Sequence, residues 1–90
     1  MIGRKVIAIY NRTDSDLILN PMKHNIDKLL EPGTSEVVTL CCDQDVSVHS
    51  KYGSYILSLV SDLGGLTYYK FGDLRMIDDS AKNGTISFFY

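Results

Sequence analysis

Between Tyr55 and Phe71 the chain reads Tyr55-Ile56-Leu57-Ser58-Leu59-Val60-Ser61-Asp62-Leu63-Gly64-Gly65-Leu66-Thr67-Tyr68-Tyr69-Lys70-Phe71. Two runs rich in aliphatic and aromatic residues flank a glycine pair. β-Branched and aromatic side chains suit a pleated, half-buried surface, and paired glycines supply the positive φ that a tight hairpin turn needs. Reading Gly64-Gly65 as a two-residue loop predicts that Val60 pairs with Tyr69, Ser58 with Phe71 and Leu57 with Gly72. Strand alternation then gives Tyr55, Leu57, Leu59, Leu63, Leu66, Tyr68 and Leu74 one face, taken as core. Ile56, Val60, Tyr69 and Phe71 share the opposite face with Ser58, Asp62, Thr67 and Asp73.

The same punctuation runs outward in both directions. Turn residues cut the chain at 11–16, Pro32-Gly33-Thr34, Asp43-Gln44-Asp45, Tyr52-Gly53-Ser54 and Asn83-Gly84. Strands are expected over Lys5–Tyr10, Leu17–Leu19, Glu36–Cys42, Val46–Ser50, Leu74–Ile77 and Thr85–Phe89, the last two joined by a loop over 78–84. Over Val46–Ser50 the alternation turns Val46, Val48 and Tyr52 inward and Ser47, His49 and Lys51 outward. The polar turn after Tyr10 can fold back through Asp and Ser side chains bonded to nearby amides. Residues 20–31 admit two readings. Asn20-Pro21 could cap a short helix carrying Met22, Ile26, Leu29 and Leu30 at helical spacing. The preferred reading is a loop with a short strand over Ile26–Leu30, consistent with the β character of the rest. The whole is expected to be all-β: one domain over residues 1–90, a single small antiparallel β-sandwich of immunoglobulin-like or jelly-roll type.

Ninety residues hold one core, because a second would leave each half too small to fold unaided. Nine basic residues are scattered against 11 acidic ones, so no positive stripe forms and nucleic acid is an unsuitable partner. Uncharged stretches are too short to span a bilayer, which argues against a membrane role. The opening residues, Met1-Ile2-Gly3-Arg4-Lys5, lack an apolar signal core. Cys41 and Cys42 are adjacent and diverge on a strand, so both are expected as reduced thiols. On these two features a cytoplasmic location is expected.

No motif carries recognisable chemistry. Cys41, Cys42, Asp43, Asp45 and His49 lack the paired, loop-forming spacing of a zinc site. Asp14-x-Asp16, Asp43-x-Asp45 and Asp78-Asp79 each resemble a fragment of a calcium loop, but turn chemistry accounts for all three. Ser50 and His49 are strand neighbours that face opposite ways, so the histidine cannot activate that hydroxyl. The expectation is therefore a non-enzyme with no cofactor and no metal.

What remains is a surplus of apolar surface. The runs Val37–Cys42, Tyr55–Val60 and Ile86–Tyr90 are apolar on both strand faces, whereas small antiparallel sheets usually wet one. The Asn20–Leu30 segment could cover part of this surface. The alternative is coverage by another protein, for which tyrosines are well suited. The sequence thus predicts a protein-interaction module, a homodimer or a binder of a partner protein, acting through a β surface or edge strand. Its expected contact residues are Ile56, Val60, Tyr69 and Phe71, with Phe89 and Tyr90 nearby. The same motif-free composition also fits a phage or mobile-element inhibitor that occludes a host protein, a carbohydrate or small-ligand binder, and a virion or assembly subunit.

Overall fold

The computed structural model describes residues 4–21, 27–41, 44–60 and 65–90. Nine strands and one helical turn follow in order: β1 (Arg4–Asn11), β2 (Leu17–Pro21), β3 (Lys28–Leu30), β4 (Ser35–Cys41), β5 (Asp45–Ser50), β6 (Gly53–Leu59), β7 (Leu66–Gly72), β8 (Arg75–Asp79), α1 (Ser80–Asn83) and β9 (Thr85–Phe89). They form a four-stranded sheet, β4-β1-β9-β8, and a five-stranded sheet, β3-β2-β5-β6-β7. The molecule is a small β-sandwich, as the turn spacing predicts. All but one of the strand pairings are antiparallel; β1 and β9 run parallel, with Ile9 beside Ile86.

Alternation on each strand builds the core. Ile7 and Ile9 of β1, Leu40 of β4, and Ile86 and Phe88 of β9 face Leu17, Leu19, Val46, Val48, Tyr55, Leu57 and Leu59 of the other sheet. Leu74, between β7 and β8, is fully buried among them. The predicted inward Val46 and Val48 are in place, and Tyr52 packs half-buried against the same cluster.

The turn between β1 and β2 is held by a different side chain from those expected. Asn11 is buried and donates to the carbonyls of Ser15 and Leu30, both at 2.8 Å, while its Oδ1 accepts from the Thr13 amide at 2.9 Å. One amide therefore closes the turn and ties it to β3. The aspartates of this turn lie on its outer side.

Several local expectations are corrected. Pro21 ends β2, where it pairs with Val46, and does not open a helix. The short strand after it covers Lys28–Leu30; residues 22–26, which would carry most of the alternative helix, lie outside the described residues. The segment 78–84, expected as a loop, includes the single helical turn α1, ended by Gly84 at φ 73°. Such a positive φ is easily adopted by glycine.

The β6–β7 register differs most. Ile56, not Val60, faces Tyr69, and Ser54, not Ser58, faces Phe71. Pairing stops at Leu59 with Leu66, and the Val60 amide donates to the Gly65 carbonyl at 2.7 Å. The connection thus runs from Val60 to Gly65 and is longer than two residues; part of the Leu63-Gly64-Gly65-Leu66 turn, including Leu63, lies outside the described residues. A slip of four residues is even, so the partners change while every side chain keeps its face. At the far end Gly53 pairs with Gly72, and both have positive φ. A Cβ on Gly53 would overlap the Phe71 carbonyl oxygen, so the two strands meet there only because neither residue has a side chain.

Candidate interaction surface

Sheet edges are where a β-sandwich is open to partners, because each leaves a row of unpaired amides. Three of the four edges here are blunted. β3 is three residues long. β4 turns Glu36 toward the inner side, where it pairs with Lys28 of β3 at 2.7 Å. β8 ends in Asp78-Asp79 and runs straight into α1. An inward charge, short length and edge charges all discourage strand addition. β7 carries one charge, Lys70 on its inner side, but it has seven residues, no proline and no acid, and among the described residues β6 is its sole strand partner.

Both faces of β7 are open. Tyr69 is 67% exposed, Phe71 57% and Tyr68 50%. Tyr69 and Phe71 lie on the outer face with half-buried Ile56, which sits directly opposite Tyr69. Tyr68 lies on the inner side, outside the sealed core, and tilts against Tyr55 at 5.5 Å between ring centres. Tyr55 in turn meets the edge of Phe88 at 5.3 Å, so the exposed Tyr68 ring rests on a stack anchored in the core. Burial raises the Tyr55 pKa, the nearby Tyr68 adds to the rise, and Arg75 partly offsets it.

Polar pairs continue the outer face across β5 and β6. His49 Nδ1 and Ser54 Oγ are 2.6 Å apart, and Ser58 Oγ donates to Asp45 at 2.7 Å. These are cross-strand neighbours in register. Ser50 is buried and donates to the Gly53 carbonyl, so the histidine and its sequence neighbour do face opposite ways. Asp14 accepts from the Tyr52 hydroxyl and Asp78 accepts from the Ser80 amide, which gives these two aspartates protein partners. Among the described residues no three His, Cys, Asp or Glu side chains converge. Cys42 and Asp43 lie outside them, and Cys41 is a half-buried free thiol.

The expected contact residues separate into three groups. Ile56, Tyr69 and Phe71 form one continuous patch. Val60 lies beyond the end of β6, exposed at the start of the connection. Phe89 and Tyr90 are elsewhere: Phe89 belongs to the other sheet, beside the Arg75 guanidinium, and Tyr90 stacks on Tyr52 at 3.8 Å. Tyr68 is the residue that sequence reasoning misses, because alternation assigns it to the core. Lys70 is the available signal, since it shares Tyr68's side of the strand and a lysine there means that side meets water.

A second exposed apolar set lies on the four-stranded sheet, where Val6, Val37 and Ile77 point outward. A cleft of about 430 Å³ opens between the sheets beside β4, lined by Leu19, Pro21, Val38 and Val46. No helix among the described residues is long and apolar enough to cross a membrane. No family model, curated protein or solved structure matches the chain.

Proposed function

We propose that this protein is a non-enzymatic interaction module that binds a protein partner by strand addition at β7, with Ile56, Tyr69 and Phe71 gripping the partner's side chains. The observation that carries this reading is the open edge itself: among the described residues β7 is a seven-residue edge strand with no proline, no acid and a single charge, Lys70, and it presents three exposed rings. In strand addition the main-chain bonds supply affinity and alternate side chains supply selectivity. Tyr and Phe suit the second task, because they offer large contact area at small entropic cost. The adjacent cysteines, poorly placed to bond to each other, support a cytoplasmic setting for this activity.

Selection from a displayed library of extended peptides tests the site without knowledge of the natural partner. Peptides enriched on the wild type should lose at least about tenfold in affinity on Tyr69→Glu or Phe71→Asp, with both variants folded by circular dichroism. Binders that retain full affinity for both variants would place the interaction elsewhere. A failure to enrich any binder on protein held monomeric by dilution would contradict the proposal.

A further inference from the structure

We infer that the occupant of the β7 edge is β7 of a second copy of this chain, added antiparallel about a two-fold axis through Tyr69. The inference rests on the strand-addition reading and names its partner. At one end of the hairpin the Val60 amide donates to the Gly65 carbonyl, and at the other the Asp73 amide donates to the Tyr52 carbonyl. Both pairs obey the same register as Ile56 opposite Tyr69. In an antiparallel ladder hydrogen-bonded pairs recur at every second residue. Thr67, Tyr69 and Phe71 therefore spend their amides and carbonyls on β6, while Leu66, Tyr68, Lys70 and Gly72 direct theirs to the free edge.

Those four residues are placed symmetrically about Tyr69. With the axis there, Tyr68 faces Lys70 of the other copy and Leu66 faces Gly72, and all four use their free edge groups in hydrogen-bonded pairs. Tyr69 meets its own counterpart in a non-hydrogen-bonded pair, where side chains approach most closely. On the outer face Phe71 meets Thr67. The two five-stranded sheets then run on as one.

Charge selects this register over its neighbours. Lys70 is the only charged residue of β7. An axis through Lys70 would oppose two ammonium groups, which disfavours pairing. An axis through Tyr68 would leave the Gly72 end of each strand unpaired within β7. The Tyr69 axis pairs all seven residues and sets each lysine against a tyrosine ring, a favourable contact for a cation. A closed two-fold dimer also removes both open edges at once.

The register is tested by reversing charge at one position. Tyr68→Glu would place a carboxylate opposite the other copy's Lys70, and Tyr68→Lys would place a second ammonium there. Both variants lose the same ring, so the difference between them reads the opposing charge. Sedimentation equilibrium should show Tyr68→Glu dimerising on the order of tenfold or more tightly than Tyr68→Lys, with the gap shrinking at high salt. A Tyr69→Cys variant, made with Cys41→Ser and Cys42→Ser, should form a symmetric disulfide under mild oxidation, and Thr67→Cys should not. A wild type that remains monomeric at every concentration would overturn the self-pairing, as would equal dimerisation of the two Tyr68 variants. If library peptides still bind through Tyr69 and Phe71 in that event, the edge site stands and its partner is another protein. If they do not, both readings fall.

Discussion

Tyr52 donates its hydroxyl to Asp14 from a turn 38 positions away, and Tyr90 stacks flat on its ring. The hydrogen bond to Asp14 is the main reason its pKa is pushed up to about 12; desolvation, the Asp14 charge and Tyr90 add to it. The folded chain therefore holds this proton more tightly than the unfolded chain, whose phenol titrates near 10. The stabilisation is complete below pH 10 and is lost as pH rises from 10 through 12. Tyr52→Phe should accordingly be less stable than wild type at neutral pH. The gap between their urea midpoints should stay constant to about pH 10 and close by about pH 12. A gap that persists unchanged through that range would show that the hydroxyl's proton plays no part. Neither partner in this contact is legible in the sequence, because turn residues read most naturally as bonding locally. The same bias assigns the β1–β2 turn to its Asp and Ser side chains, when the buried amide of Asn11 holds it.

At the scale of the element, the β6–β7 hairpin shows how a correct face and an incorrect partner can coexist. The period-2 pattern tells which of Leu57, Leu59, Tyr69 and Phe71 lie together, and the structure keeps them so. The register depends on a turn, and a glycine pair at 64–65 is a weaker constraint than the Gly53–Gly72 meeting at the other end. There Gly72 also has positive φ, and a Cβ on it would lie 2.9 Å from the Tyr52 carbonyl oxygen. Gly53→Ala should therefore destabilise by about 2–3 kcal/mol and disturb Phe71, whose carbonyl it would strike. Gly33→Ala is the control: its φ is 79°, but nothing lies within 4 Å of where the added methyl would sit. It should cost only about 1 kcal/mol. Chemical denaturation measures both; equal losses would mean that φ alone, and not the close approach of the strands, sets the cost. The parallel β1–β9 pair is invisible in the sequence for another reason. It joins residues from opposite ends of the chain, and no local pattern encodes such a pairing.

Across the whole molecule, the sandwich and the Ile56, Tyr69 and Phe71 part of the candidate surface are legible in the sequence. Alternation and turn spacing are local and survive in one dimension, so the layers can be read. Which strands become edges is a matter of topology, and on that depends whether Tyr68 is core or surface. Aromatic character alone groups Phe89 and Tyr90 with Tyr69, and the fold sends them to the other sheet and to the Tyr52 ring. Residue-resolved amide hydrogen exchange across a concentration series tests whether β7 is an unfilled edge that receives a strand. In dilute protein the amides of Thr67, Tyr69 and Phe71 should be protected and those of Tyr68 and Lys70 should exchange quickly; with rising concentration Tyr68 and Lys70 should become protected too. Fast exchange of those two amides at every concentration, with or without a selected peptide bound, would contradict it.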